Sequence, residues 1–303
     1  MTNLKHNTFK YLEQLEDEAI HIIREVVAEF KNPVMLYSVG KDSAVMIRLA
    51  QKAFFPGKFP FKLLHVDTEF KFPEMYDFRD QFVKEIGANL LIEKNQEWID
   101  KKAHPLELGV DKCCSLLKTK GLLDAIKGHG FDAAFGGARR DEEKSRAKER
   151  IFSVRDEFGQ WDPKNQRPEL WNLYNTQLLP SQTVRVFPIS NFTELDIWQY
   201  IKKEDIPIVP LYFAKVRKVV EKNGLIVPVE HYGPIKDEEV KDLSCRYRSL
   251  GCIPCTGAIK SEAKTIDDII EEVINAKNSE RENRIIDLTS DSSMEQKKRE
   301  GYF

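Results

Sequence analysis

The stretch Ser38-Val39-Gly40-Lys41-Asp42-Ser43, called the phosphate loop below, decides the fold of this 303-residue chain. An apolar run at residues 34–37 leads into the loop, and apolar residues at helical spacing follow it. A strand, a short polar loop and a helix in this order build an anion site, because amide groups at the start of the helix point at the ligand. The stretch therefore predicts an α/β protein that binds a phosphorylated ligand.

The side chains of the phosphate loop suit a polyphosphate. Ser38 and Ser43 offer hydroxyl groups, and Lys41 offers a positive charge. Gly40 lets the backbone approach an anion closely. Asp42 either caps the following helix or helps to hold a magnesium ion. The loop is not a Walker A loop, whose pattern needs four residues between its first glycine and the Gly-Lys pair. The competing interpretation is an ordinary turn between a strand and a helix.

The phosphate loop resembles the pyrophosphate-binding loop Ser-Gly-Gly-x-Asp-Ser of the ATP pyrophosphatase superfamily, with Val39 in place of the first glycine. Enzymes of that superfamily cleave ATP between its α and β phosphates, and the loop holds the departing pyrophosphate. The resemblance implies that residues 38–43 bind ATP and pyrophosphate.

Length and composition allow one large α/β core with an appended segment, or two modest domains. A hydrophobic content of 41% and a charged content of 32% are typical of a soluble globular protein. No apolar run reaches the roughly 18–20 residues of a membrane span, and the first residues carry no signal-peptide pattern. We therefore expect a cytoplasmic protein without a membrane partner. A formal net charge of −2 gives no general attraction to nucleic acid.

Strands alternate with helices over the first two thirds of the chain. This alternation predicts a doubly wound, mostly parallel five-stranded sheet, similar to the adenine nucleotide alpha hydrolase fold. We expect residues 1–215 to form an ATP pyrophosphatase-type nucleotide-binding domain. We expect residues 216–303 to form an irregular, partly helical C-terminal region and tail that binds a partner. The five strands are expected near residues 34–37, 62–66, 89–92, 131–135 and 184–188.

Other candidate ligand-binding residues also follow predicted strands. Ligands of doubly wound sheets bind beyond the carboxyl ends of the strands. Asp67 and Thr68 end the second strand, and Gly136 and Gly137 end the fourth. His65 is either a residue of the same site or a buried core histidine.

A charged block, residues 139–150, comes directly after the Gly-Gly turn. If the block is helical, Arg139, Arg146 and Arg150 share one face. Arginine binds phosphate or sulfate oxygens through a bidentate fork, which lysine cannot form. The competing interpretation is a solvated helix held by pairs such as Glu142 with Arg146.

Residues 131–150 and 162–171 resemble the small subunits of heterodimeric bacterial ATP sulfurylases. That family belongs to the ATP pyrophosphatase superfamily, beside the adenylylsulfate and phosphoadenylylsulfate reductases. Further matching stretches are residues 32–43, 63–68, 185–200, 207–212 and 301–303.

The resemblance implies that ATP and sulfate react to give adenylyl sulfate and pyrophosphate. It implies that the phosphate loop, with magnesium on the ATP, holds the β and γ phosphates, and that residues 65–68 line the adenosine. Sulfate is already a nucleophile without losing a proton, so no general base is needed. The catalytic candidates are Lys41, which belongs to the phosphate loop, and four cations that the resemblance assigns to sulfate and the α phosphate: Arg139, Arg140, Lys144 and Arg146.

The resemblance also implies a partner, a large GTPase subunit. The product is a mixed anhydride, so the equilibrium opposes synthesis, and GTP hydrolysis on the partner drives it. This chain has no Walker A loop of its own. The candidate contact surfaces are residues 161–171, residues 220–243 and the charged tail, each of which is otherwise an ordinary loop or terminus.

The cysteines form a second pattern. Five cysteines in a chain expected to be cytoplasmic favour thiols, a metal or a cluster over disulfides. Cys113 and Cys114, with Cys252 and Cys255, resemble the four-cysteine [4Fe–4S] arrangement of adenylylsulfate reductases. Thiolates suit iron–sulfur clusters and zinc alike, and four reduced, partly buried thiols are the alternative. Cys245 is left over.

Two other functions compete with nucleotidyl transfer. An iron–sulfur adenylylsulfate reductase would need a nucleophilic cysteine in its C-terminal tail, and no cysteine follows Cys255. A non-catalytic adenine-nucleotide-sensing subunit would not need the intact phosphate loop and the arginines of the charged block. We therefore predict a sulfate adenylyltransferase.

Overall fold

The strands of the chain form two sheets. The computed structural model describes residues 2–222, 225–229, 240–276, 278–283 and 294–301. Sheet A contains β1 (Pro33–Leu36), β2 (Lys62–Val66), β3 (Leu90–Glu93), β4 (Ala133–Phe135), β5 (Phe152–Arg155) and β6 (Thr183–Val186). Sheet B contains β7 (Lys215–Lys222), β8 (Leu225–Pro228), β9 (Lys241–Arg246) and β10 (Ile259–Lys260).

Sheet A confirms the predicted doubly wound, mostly parallel architecture. Its strand order is β3-β2-β1-β4-β6-β5, and every pair is parallel except β5 with β6. The strand order reverses between β1 and β4, where doubly wound sheets bind ligands. The phosphate loop follows β1 at this point, so the fold brings it next to the end of β4.

The prediction of five strands was wrong by one, because β5 was not recognised. Two of its four residues, Ser153 and Arg155, are polar and yet buried. Arg155 is buried because Nη2 contacts Glu149 at 2.5 Å. These two residues share one face of the strand, so only Phe152 and Val154 are apolar, which is too short a pattern to detect.

Helices cover both faces of sheet A. Boundary residues mark the ends of three of these helices: Pro73 stands in the first turn of one, and Gly87 ends the same helix with φ of 62°. Thr193 and Thr265 each begin a helix with a capping box. The α-helices are α1 (Thr2–Glu29), α2 (Lys41–Phe54), α3 (Pro73–Ile86), α4 (Gln96–Asp100), α5 (Pro105–Leu108), α6 (Val110–Cys114), α7 (Gly121–His129), α8 (Lys144–Ala147), α9 (Glu194–Glu204), α10 (Ile266–Asn275) and α11 (Met294–Arg299).

Shorter helical turns join these elements. A π-helical turn, Ser115–Lys120, connects α6 to α7. Turns of 3-10 helix are Pro163–Asn165, Leu170–Asn172, Pro210–Tyr212, Ile253–Cys255 and Glu280–Asn283. Among the described residues, no helix combines the length and the apolar character needed to cross a bilayer.

Sheet B corrects the expectation of an irregular, partly helical C-terminal region. Its four strands are antiparallel in the order β10-β9-β7-β8. Its strands were missed because exposed charges interrupt them and β10 has only two residues. Sheet B shares one apolar core with sheet A, since Val219, Cys245 and Tyr247 belong to the same buried cluster as α1 and α2.

The described part of the C-terminal tail packs on this chain, where the sequence suggested a loose end or a segment docked on a partner. Lys298 of α11 is buried, and its Nζ lies 2.6 Å from Glu149 Oε2. The Trp161 amide donates to the carbonyl of the same lysine. Residues 223–224, 230–239, 284–293 and 302–303, which include parts of the predicted contact surfaces, lie outside the described residues.

Val39 takes a left-handed backbone conformation, which glycine adopts more readily than valine. Its φ is 64°, in the left-handed region, where a β-branched side chain is strained. The side chain is nevertheless buried in the core. Burial of the valine therefore offsets the strain of the loop.

We expect Val39→Gly to lower the free energy of unfolding by only about 1 kcal/mol, because relief of roughly 1–2 kcal/mol of strain offsets lost burial and chain entropy. Val45→Gly is the matched control, since Val45 is equally buried but lies in α2. It should cost roughly 3 kcal/mol or more. Urea unfolding measures both, and equal losses would contradict the strain at Val39.

Candidate functional site

A cavity of about 170 Å³ lies at the carboxyl edge of sheet A. The phosphate loop, the end of β2 and the start of the charged block line it. A larger cleft of about 1100 Å³ lies beside Trp161 and Leu179, away from the phosphate loop. We place the functional site in the smaller cavity, because the predicted phosphate-binding groups and the reversal of strand order meet there.

The phosphate loop leads directly into helix α2. Gly40 precedes the helix, and no side chain caps its first turn, so Asp42 does not cap it. The Lys41 amide donates to the Tyr212 hydroxyl at 2.8 Å, and Ser43 Oγ donates to the Gly40 carbonyl at 2.8 Å. A Cβ on Gly40 would lie 3.4 Å from that tyrosine oxygen, so glycine permits the close approach.

Four charged side chains meet at the loop. Lys41 Nζ lies 3.1 Å from Asp42 Oδ2, and Arg139 Nε donates to Asp42 Oδ1 at 2.8 Å. Glu280 accepts hydrogen bonds from both Lys41 Nζ and Arg139 Nη2. Lys41, Arg139 and Glu280 are all at least 97% buried. Two cations and two carboxylates thus form a buried, formally neutral group.

The pKa shifts in this group follow from burial and charge. Burial disfavours the charged form of the Asp42 carboxyl, but Lys41 and Arg139 outweigh it and lower the pKa of Asp42. Burial raises the pKa of Glu280 although the same two cations oppose the shift. The balance of burial and charge therefore stabilises the charged form of Asp42 and destabilises the charged form of Glu280.

No sequence pattern singles out Glu280. It lies in a charged stretch, and 239 residues separate it from Lys41. No local spacing marks a contact of that range, so only the fold reveals it.

The charged block is not one helix. Only α8, four residues long, is helical, because backbone bonds to neighbouring segments hold the rest. The Arg140 amide donates to the Ser190 carbonyl at 2.9 Å, and Asp141 accepts a bond from the Glu194 amide. The single helical face predicted for three arginines was therefore wrong.

Two of the predicted cations of the block lie at the site, and the other two lie on the surface of the protein. Arg139 belongs to the buried group, and Arg146 lines the cavity with Nε 3.1 Å from Glu142 Oε2. Arg140 is exposed and donates to Asn191, and Lys144 is exposed in α8. The charges of Arg146 and Arg139 overcome burial and lower the pKa of Glu142.

His65 is a buried histidine that also lines the cavity. Its Nδ1 lies 2.8 Å from the Tyr37 carbonyl oxygen. Burial, with a smaller contribution from Lys71, lowers the pKa of His65 to about 4. The ring is therefore neutral at pH 7 and donates its Nδ1 proton to the end of β1.

Asp67 and Thr68 are buried beside the cavity and engaged elsewhere. Asp67 Oδ1 accepts bonds from the Glu69 amide at 2.8 Å and from the Tyr76 hydroxyl at 2.7 Å. Thr68 Oγ1 lies 3.0 Å from Cys252 Sγ. These contacts fix the turn after β2.

The glycines at the end of β4 have separate roles. The Gly136 amide donates to the Val186 carbonyl and continues the pairing of β4 with β6. Gly137 lines the cavity, and a Cβ there would lie 3.1 Å from Asp42 Cβ. Gly137 therefore lets the charged block approach the phosphate loop.

The fold brings the two cysteine pairs together. The Cys255 thiol donates to Cys252, and this bond, with help from Lys71, holds the pKa of Cys252 well below its usual range. Burial raises the pKa of Cys113 to about 12, and the neighbouring Cys252 and Cys114 add to the shift. Within the described ranges, however, no three potential ligands are arranged as a metal-binding group.

The comparisons with known proteins show the family of the chain. Residues 32–258 match the phosphoadenosine phosphosulfate reductase domain. The chain is 57% identical over 299 residues to sulfate adenylyltransferase subunit 2 of Pseudomonas putida, covering 97% of this chain and 98% of that protein. It is 59% identical over 295 residues to the same-named protein of Saccharophagus degradans, covering 97% of each. A solved structure of a phosphoadenylyl-sulfate reductase from Candida auris, in a phosphate complex, is 18% identical with a TM-score of 0.47, covering 67% of this chain and 89% of that one.

The fold, the phosphate loop and the domain match define a protein of the phosphoadenosine phosphosulfate reductase domain class. Within that class the chain belongs to the sulfate adenylyltransferase subunit 2 family. This membership confirms the resemblance found in the sequence and the predicted nucleotidyltransferase class.

The buried His65 makes folding sensitive to acid. Its pKa is about 4 in the folded chain and about 6.5 when unfolded, so the unfolded state binds more protons between these values. The contribution of His65 to the free energy of unfolding is thus fully present above pH 6.5 and is lost as the pH falls toward 4. We expect this group to account for a loss of about 3 kcal/mol between pH 7.5 and pH 4.

Urea unfolding of His65→Asn, which retains a donor to Tyr37, should show a pH dependence smaller by that amount. The exposed His21 gives the control variant His21→Asn, whose pH dependence should match that of the original chain. An unchanged pH dependence in His65→Asn would mean that the ring titrates normally.

Proposed function

We propose that this chain is a catalytic subunit that converts ATP and sulfate to adenylyl sulfate and pyrophosphate. The observation that supports the proposal most strongly is that Arg146 lines the same cavity as the phosphate loop. The buried Lys41 and Arg139 lie next to this lining, since both contact Asp42. The names of the relatives give the substrate class.

In this proposal the phosphate loop and Arg139 hold the β and γ phosphates. Negative charge develops on pyrophosphate as it leaves, and a fixed Lys41 and Arg139 stabilise that charge without reorganising. Magnesium bound to ATP would neutralise part of the phosphate charge. Hard oxygen donors that fit it at the cavity are Asp42 and Ser38.

Arg146 is our first candidate for binding sulfate, since it is buried and lines the same cavity. Its guanidinium offers a bidentate fork to a tetrahedral anion. Two anions must meet in this reaction, and a fixed cation between them lowers their repulsion. Arg140 and Lys144 stay proposals for the outer rim, where incoming anions would first meet positive charge.

The adenosine would lie against the apolar wall of the cavity. Leu36, Val66 and Leu122 line this wall, and His65 lies beside them. A flat base suits such a surface. Asp67 and Thr68 would act indirectly by holding the turn after β2.

The partner in this proposal is a GTPase subunit, and both chains would act in the cytoplasm. Forming a mixed anhydride is unfavourable, so an energy source outside this chain is required. The loop 161–171 is a candidate contact surface, because Leu170 and Trp171 are 56% and 85% exposed. Leu173 continues this apolar surface at 68% exposure. The C-terminal region 216–303 stays a proposal as a partner-binding region.

The reverse reaction tests the proposal, because it runs downhill and needs no GTP. Formation of ATP from adenylyl sulfate and pyrophosphate should fall about 100-fold or more in Lys41→Met and in Arg146→Met, which remove one fixed charge each. Luciferase luminescence measures the ATP. Thermal unfolding checks that both variants are folded.

Lys62→Ala is the matched control, since Lys62 is an exposed lysine at the start of β2. Its rate should equal that of the original chain. Full activity in Lys41→Met and Arg146→Met would reject the assigned site, and no ATP from the unchanged chain would reject the function. In the forward direction, sulfate-dependent pyrophosphate release should rise when the GTPase and GTP are added.

We further propose that Cys113, Cys114, Cys252 and Cys255 take up a soft metal, as an iron–sulfur cluster or as zinc. Lys71 and Lys118 favour the thiolate of Cys252. Burial, in contrast, raises the pKa of Cys113 and of Cys114. Metal binding would have to deprotonate the raised thiols and rearrange the described side chains, which are not in metal-binding geometry. The role would be structural, since Lys71 and Lys118 line the cavity and none of the four cysteines does.

Anaerobic purification followed by an absorption spectrum and iron, sulfide and zinc assays tests the metal. We expect about four irons or one zinc per chain, lost in Cys252→Ser. Cys245→Ala is the control and should retain the metal, because Cys245 lies in β9 within the apolar core. A colourless, metal-free protein would return all four residues to ordinary thiols.

A further inference from the structure

The C-terminal segment 278–283, here called the Glu280 segment, lies across the phosphate loop. Ser279 Oγ donates to the Glu142 carbonyl at 2.8 Å, and Arg248 Nη1 donates to the Asn278 carbonyl at 3.0 Å. These bonds hold the segment so that Glu280 reaches Lys41 and Arg139. The contact thus joins the last part of the chain to the first ligand-binding loop.

We propose that the Glu280 carboxylate occupies the place of a phosphate group, and that a nucleotide polyphosphate binds by replacing it on Lys41 and Arg139. The inference rests on the proposed function, because it assigns those two cations to the phosphates. It makes Glu280 a positioning residue that keeps the cations in place between turnovers.

Charge requires the replacement. In the present arrangement Asp42 and Glu280 balance Lys41 and Arg139. A polyphosphate added to this group would bring several negative charges against a buried carboxylate. Such repulsion is strong away from water, and it disappears when the carboxylate leaves.

The small volume of the cavity also favours the replacement of Glu280. The cavity measures about 170 Å³, whereas pockets for organic ligands usually measure about 300–1,000 Å³. Glu280 covers Lys41 and Arg139, and Arg281 of the same segment lines the cavity. On the other side of the segment, a cleft of about 320 Å³ lined by Thr193, Arg248 and Ser279 offers room for the segment to retreat.

The same segment supplies a further cation. Arg281 is buried, lines the cavity with Arg146, and helps to lower the pKa of Glu142. A retreat of Glu280 would leave Arg281 as the nearest charge of the segment to the incoming anion. When the Glu280 carboxylate leaves, the charge that the segment presents to the site is therefore that of Arg281.

Binding of inorganic pyrophosphate and of ATP to the full chain, measured by calorimetry, tests the inference. Glu280→Gln removes the charge and keeps the shape, so both ligands should bind at least tenfold more tightly than to the original chain. Glu272→Gln is the matched control, since that carboxylate also pairs with a buried arginine, Arg246, but lies away from the cavity. It should leave both dissociation constants unchanged.

Equal or weaker binding to a folded Glu280→Gln overturns the inference, and so does the absence of binding to both proteins. If the variant does not fold, hydrogen exchange of the original chain decides. Pyrophosphate should speed exchange in residues 278–283 while it protects residues 38–43. Unchanged or slower exchange in residues 278–283 overturns the inference.

The two proposals fail separately in these experiments. Tighter binding to Glu280→Gln without any formation of ATP from adenylyl sulfate would reject the proposed function and keep the displacement of Glu280. Formation of ATP with unchanged binding to Glu280→Gln would keep the proposed function and reject the displacement of Glu280.

Discussion

The site depends on one buried group of charges, in which Lys41 and Arg139 are held between Asp42 and Glu280. Removing two cations from water is costly unless each finds an opposite charge at hydrogen-bonding distance. The neutral group meets this condition while keeping both cations at the end of β1. The fold thereby keeps two cations buried at the place where we propose that phosphates bind.

Everything around this group serves to position it. The reversal of strand order between β1 and β4 brings the phosphate loop and the charged block to one edge. Gly137 lets the two approach, since a side chain there would meet Asp42. The shared core of sheets A and B fixes the region from which the Glu280 segment arises. The packing of the two sheets therefore also sets the positions of the four charged side chains.

The strand, loop and helix around Lys41 were predictable because their signals are local: an apolar run, a glycine and a helical period. Arg139 and Arg146 could be selected because they follow a strand end. Strand β5 could not, since buried polar residues hid its pattern. Glu280 could not either, because a contact across most of the chain leaves no mark in local spacing.

The long reach of the contact between Lys41 and Glu280 also orders events during protein synthesis. The phosphate loop leaves the ribosome 239 residues before its carboxylate partner. Translation at about 5–20 residues per second leaves the two cations without that partner for roughly ten seconds or more. A nascent chain therefore carries an anion-attracting centre that closes only when its last part has been made.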